Sequence, residues 1–134
     1  MNRPAPYQAE TAGVIVRVRP RYLPEQSSPD DRRWIWAYQV EIVNASDMTL
    51  TLIDRHWIIT DMSGRVEEIR GEGVVGEQPT LEPGAAYVYA SACPLTTPGG
   101  VMAGSYGMVR IDGTRIEVAI PPFSLDLPEK RTLN

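Results

Sequence analysis

Residues 34–43 read Trp34-Ile35-Trp36-Ala37-Tyr38-Gln39-Val40-Glu41-Ile42-Val43, and the alternation in this stretch decides the fold class. Trp34, Trp36, Tyr38, Val40 and Ile42 fall on one face at period two, while Gln39 and Glu41 fall on the other. That is a strand with one side on a core and one in water. The same period runs through residues 11–20, where Val14, Val16 and Val18 oppose Ile15, Arg17 and Arg19. Between the two lies a polar loop holding Pro24, Pro29 and Ser27-Ser28-Pro29-Asp30-Asp31. Asn44-Ala45-Ser46-Asp47 then turns the chain.

Working on from that turn, residues 49–61 change phase. Leu50 and Leu52 begin on one face, and Ile53, Trp57 and Ile59 lie on the other. A bulge near Asp54 and Arg55 reconciles them, because one extra residue flips the face assignment. Asp61-Met62-Ser63-Gly64 reads as a hairpin turn into residues 65–70, whose apolar members are Val66 and Ile69. A Gly-rich segment follows over residues 71–76. Leu81-Glu82-Pro83-Gly84 then leads to a strand over residues 86–92, and residues 94–104 read as a loop. Residues 105–111 and 115–120 flank Asp112-Gly113 as a hairpin, before Pro121-Pro122 interrupts and residues 123–127 resume. No window of about a dozen residues holds a 3.6-residue apolar period free of glycine and proline. The expectation is an all-β chain, a two-sheet β-sandwich of about seven or eight strands, with a small closed barrel as the competing architecture.

The 134 residues suit one domain, expected over residues 1–128 with a flexible tail at residues 129–134. Gly 11 and Pro 12 are too many for a helix bundle, and 43% hydrophobic content excludes a disordered chain. The single cysteine, Cys93, rules out an internal disulfide and fits a reducing compartment. A formal charge of -4 argues against nucleic acid as a partner. No apolar run reaches the ~20 residues that a membrane helix needs, and the N-terminus shows no signal-peptide pattern. A cytoplasmic location with no membrane insertion is expected.

The motifs carry little chemistry. Gly71-Glu72-Gly73-Val74-Val75-Gly76 spells GxGxxG, whose glycines let a backbone approach a phosphate. Pro79 and Pro83 forbid the crossover helix that would hold a pyrophosphate. Gly71, Gly73 and Gly76 therefore stand between an architectural role at a strand end and a non-Rossmann anion loop for a phosphate-containing small molecule. Asp54 and His56, two apart, share a face of an unbroken strand and could pair as acid and base or as metal ligands, but three ligands are the usual need. Asp54, Asp61, Glu67, Glu68 and Glu72 could furnish oxygen ligands or simply coat a solvated hairpin. Cys93 lacks a nearby cation and reads as inert. Arg17, Arg19 and Arg21, with Arg32, Arg33, Tyr22 and Trp34 close in sequence, form either a basic patch for an acidic partner or solvated edge charges. No catalytic residues, resident metal or cofactor are expected, so the chain reads as a non-enzyme.

Two resemblances add to this. Leu81-x-Pro83-Gly84-x-x-Tyr87 resembles the corner of fibronectin type III domains, where a leucine, a proline and a tyrosine lock a loop between sheets. More extensively, Arg55-His56-Trp57-Ile58-Ile59-Thr60-Asp61, residues 66–79, Cys93-Pro94-Leu95-x-Thr97-Pro98, Gly104-Ser105-Tyr106 and Ile120-Pro121-Pro122-Phe123 resemble the ApaG family. The resemblance spans residues 7–128. It implies a fibronectin-type-III-like or immunoglobulin-like sandwich and a genetic link to cobalt and magnesium resistance or efflux. It also implies a domain that recognises other proteins. The family's GxGxxG, here Gly71, Gly73 and Gly76, implies the alternative of nucleotide or pyrophosphate binding.

Overall fold

The computed structural model describes residues 6–128, so the tail expected at residues 129–134 lies outside the described residues. Its strands are β1 (Tyr7–Thr11), β2 (Val14–Tyr22), β3 (Trp34–Asn44), β4 (Leu50–Asp61), β5 (Val66–Glu72), β6 (Thr80–Leu81), β7 (Ala86–Leu95), β8 (Gly100–Arg110) and β9 (Arg115–Leu125). They make two antiparallel sheets, ordered β1-β2-β3-β7 and β5-β4-β8-β9, with the two-residue β6 on β4. The all-β, two-sheet sandwich is the architecture formed.

The period-two residues pack as their alternation requires. Val14, Val16 and Val18 are fully buried beside Val40 and Ile42, and they face Leu50, Leu52, Met108 and Val118 of the second sheet across one core. Trp57 sits at its aromatic centre, edge-on to Tyr38 at 5.4 Å, to Phe123 at 6.0 Å and to Tyr106 at 6.5 Å. Beneath Trp57 the partner strand must come close. A Cβ on Gly104 would collide with the His56 carbonyl oxygen, so only glycine fits there.

The phase change in β4 is a bulge. Its register with β8 shifts between Leu52 and Asp54, which leaves Ile53 as the extra residue and turns Arg55, Trp57 and Ile59 inward. Boundaries differ from the sequence reading, first in that β8 already starts at Gly100, inside the loop expected over residues 94–104. Thr11 belongs to a separate strand, because Ala12 (φ 50°) and Gly13 (φ 83°) take the two positive-φ positions of a tight hairpin turn. Pro94 sits within β7, whose last residues still pair with Ile35 and Trp34. Pro121-Pro122 does not interrupt β9; the pair stands opposite Ala103 alone, where the register shifts between Met102 and Gly104. Proline is tolerated at bulges and on edges because no ladder N–H is needed there.

The corner over residues 81–87 is locked differently from the fibronectin pattern. The Tyr87 hydroxyl donates to Glu77 Oε2 at 2.8 Å rather than to corner backbone. Asn44, fully buried, does the locking instead. Its Nδ2 donates to the carbonyls of Met48 (2.8 Å) and Leu81 (2.9 Å), and its Oδ1 accepts from the Ser46 N–H (3.0 Å) and hydroxyl (2.6 Å). Its carbonyl accepts the Gly84 N–H at 2.7 Å. Every polar group of the side chain is thereby satisfied, as burial demands.

Candidate functional site

The Gly-rich segment folds as a tight hairpin. Val75 (φ 43°) and Gly76 (φ 81°) form a two-residue turn closed by Val74 N–H to Glu77 O (2.8 Å) and Glu77 N–H to Val74 O (2.9 Å). The Gly73 N–H donates to Ile53 O at 2.8 Å. A Cβ on Gly73 would strike the Glu77 carbonyl, and one on Gly71 would meet the Arg55 guanidinium at 2.8 Å. That guanidinium donates from Nη1 to the carbonyls of Glu72 (2.9 Å) and Gly73 (2.8 Å). The N–H groups of Gly73, Val74 and Glu77 are thus spent on carbonyls, and close packing explains Gly71 and Gly73.

Asp54 and His56 do share the outer face of β4, yet each is committed elsewhere. Arg115 grips Asp54 with two bonds of 2.9 Å, and that grip holds the Asp54 carboxyl below its usual range. His56 Nε2 lies 2.8 Å from Glu68 Oε1. The Asp61 carboxylate accepts the hydroxyl and N–H of Ser63 and the N–H of Arg65, so it is spent on the hairpin turn. No group of three His, Cys, Asp or Glu side chains suited to a metal occurs among the described residues. Cys93 is buried, and burial, with the Glu67 carboxylate adding to it, pushes its thiol up to about 11.

Arg17 is paired with Glu41 (2.9 Å) and Gln8 (2.9 Å) on the outer face of the first sheet. A cavity of about 780 Å³ gathers Arg19 and Arg21 with Tyr7, Tyr22 and Trp36, so part of the arginine group does converge with aromatic residues. Trp34 is not among its lining residues.

The feature missed by sequence reading is the flank where β7 and β5 are both edge strands. The Asn44 N–H reaches Ala85 O at 2.9 Å, which sets the phase of the β3–β7 ladder. By antiparallel alternation Tyr87, Tyr89, Ser91 and Cys93 turn their main chain to β3, and Ala86, Val88, Ala90 and Ala92 turn theirs outward. Pro94 falls on the same outward phase, where its missing N–H costs no ladder bond. None of the ten residues of β7 is charged, and Val88 is 51% exposed. Natural edges are usually blunted by charge or proline. The β5 edge obeys that rule with Glu67, Glu68, Arg70 and Glu72; β7 departs from it.

Below β7 the second sheet projects further. Glu67, Ile69 and Gly71 pair with Ile59, Trp57 and Arg55, so they share the core-facing side. Glu67 and Ile69 are nonetheless exposed, Ile69 by 38%. Among the described residues no strand of the first sheet covers β5. Inboard of this step, the hydroxyls of Tyr89 and Tyr106 bond to one another in the core, and burial raises the pKa of both.

Comparison with known proteins fits this frame. The model of the ApaG domain matches residues 24–110. The chain belongs to the ApaG family. Protein ApaG of Brucella suis is 56% identical over 129 residues, covering 96% of this chain and 99% of the relative. That of Brucella anthropi is 55% identical with the same coverage. The crystal structure of the putative ApaA protein from Bordetella pertussis superposes with a TM-score of 0.84 at 46% identity, covering 95% of this chain and all of that one. Within this ApaG-family domain the open β7 edge leaves a sequence signal after all. Ten strand residues without a charge, with a proline next to last, mark a strand that either lies inside a sheet or waits at its edge.

Proposed function

We propose that this ApaG-family domain is a non-enzymatic protein-recognition module of the cytoplasm, and that it binds through the free edge of β7. The single observation carrying this reading is the uncharged, ten-residue edge with four outward main-chain positions, Ala86, Val88, Ala90 and Ala92. Such an edge gives affinity through backbone hydrogen bonds to an extended segment of another protein. The described residues contain no helix long and apolar enough to cross a membrane. A role in cobalt or magnesium resistance is accordingly assigned to the partner, a transporter or its regulator, with this domain acting on it.

The test is photo-crosslinking in cells from an unnatural residue at position 88, with position 70 on the charged β5 edge as reference. Covalent partners from position 88 that vanish in Ala90→Pro support the reading. Equal yields from both positions, or yields indifferent to Ala90→Pro, overturn it. That substitution removes only an outward N–H, so the β3–β7 ladder remains.

A further inference from the structure

We infer that the occupant of this flank is a single extended peptide strand in which a basic and an apolar residue stand two positions apart. This rests on the recognition reading above and specifies its partner.

The step between the sheets sets the shape. A strand added to β7 lies about 4.8 Å beside it and about 10 Å over β5. Its inward side chains therefore descend onto the uncovered core-side residues of β5, Glu67 and Ile69. These two are separated by two positions, the same interval at which an incoming strand presents successive inward side chains. Ile69 calls for an apolar residue, since 38% of it is still exposed beside its strand partner Trp57. Glu67 calls for an arginine or lysine. It lies on the side of β5 facing Cys93, where its field already acts on the thiol. Glu68 is bonded to His56, Glu77 accepts the Tyr87 hydroxyl, and Glu72 pairs in register with Asp54 on the opposite face of β5. The outward side chains of the guest strand meet only Val88, Ala90 and Ala92, so those positions tolerate small or polar residues.

A second copy of this chain does not fit the slot. Joining β7 to β7 of another molecule would carry that molecule's own second sheet into the space held by β5. The β7 sequence also offers no cation to Glu67. The overhang thus admits a lone strand and refuses another sandwich. A peptide drawn from a disordered segment or a free terminus has the required form.

The experiment titrates the full chain against fluorescein-labelled peptides about eight residues long. One set carries Arg-Thr-Leu flanked by Thr and Val; the other holds the same residues with arginine and leucine on opposite faces. The in-phase set binds at least tenfold more tightly, and amide NMR shifts map to residues 86–92 and 67–71. Glu67→Lys weakens binding about tenfold, and a peptide with Glu in place of Arg regains it. Ala90→Pro removes binding while circular dichroism shows the same strand content. Equal affinity for both sets, or indifference to Glu67→Lys, overturns the inference. So does sedimentation showing a dimer that Ala90→Pro dissolves. If no peptide binds while crosslinks from position 88 persist, the strand inference fails and the recognition reading stands. If those crosslinks are missing as well, both fail.

Discussion

Replacing Asn44 by aspartate changes one NH2 into one oxygen, at the only non-aromatic polar side chain that is buried among the described residues. In the native corner Nδ2 supplies hydrogens to Met48 O and Leu81 O. Asn44→Asp points a negative oxygen at those same two carbonyls. Each buried acceptor left without a donor costs about 1–3 kcal/mol, and the uncompensated charge adds to it. A loss of about 3–5 kcal/mol at pH 7 follows, out of a total near 5–15 kcal/mol for a domain. The sign of the pH dependence follows from the same contacts. The folded environment disfavours the charged form, so the new carboxyl titrates above its unfolded value of about 3.9. Protonation returns one O–H donor, and the deficit shrinks as pH falls through the folded value, by up to about 1.4 kcal/mol per unit. Urea unfolding followed by tryptophan fluorescence measures this directly. With a slope of about 1.5 kcal/mol/M the midpoint drops by roughly 2–3 M at pH 7 and recovers part of that at pH 5. Asn44→Ala loses stability without the pH dependence. A deficit under about 1 kcal/mol, or one identical at both pH values, refutes the reasoning.

Three further outcomes follow from the core. Tyr106→Phe orphans the Tyr89 hydroxyl and costs about 1–3 kcal/mol, whereas Tyr89→Phe with Tyr106→Phe costs less than the two single changes summed; thermal melts of the four proteins close the cycle, and simple additivity counts against the pairing. Burial raises the pKa of Tyr38, Tyr89 and Tyr106 above the ordinary value of 10.0, so their contribution is full below pH 10 and is lost as pH climbs toward the folded values; urea midpoints that stay level past pH 10 contradict this, since each retained proton steepens the fall by up to about 1.4 kcal/mol per unit. With its thiol near 11, Cys93 reacts with a disulfide reagent at pH 8 at least tenfold more slowly in the native protein than in 6 M urea, as absorbance shows; equal rates mean the thiol is exposed.

The strands were legible because the sandwich buries one face of each, and burial imprints period two. Val14, Val16 and Val18 and the aromatic side of residues 34–43 could be placed before any coordinates. The bulge in β4 was legible for the same reason, since Leu52 and Trp57 cannot both face inward on an unbroken strand; only its position moved, to Ile53. Prolines misled. Pro94 and Pro121-Pro122 mark loops by propensity, but an edge and a bulge release the backbone N–H that proline lacks. The candidate site was the least legible part. The GxGxxG letters suggest a ligand, but they do not show that Gly71 packs on the Arg55 guanidinium of the neighbouring strand or that Gly73 packs on the Glu77 carbonyl across its own hairpin. Edge status is a property of sheet order, which depends on pairings far apart along the chain, so β7 and β5 could not be recognised as neighbouring edges from local pattern.

One further consequence concerns time rather than geometry. The Ala119 N–H bonds to Thr11 Oγ1, and the Trp36 indole donates to the Asp126 carbonyl, so the first described strand and the last seal the same side of the sandwich. Contacts spanning so much of the chain make closure slow. A nascent chain on the ribosome cannot complete its core until residue 126 has emerged, though β7 emerges much earlier. Through that interval the uncharged strand is a candidate for premature pairing, and chaperone demand during synthesis should track it more than the finished fold's stability.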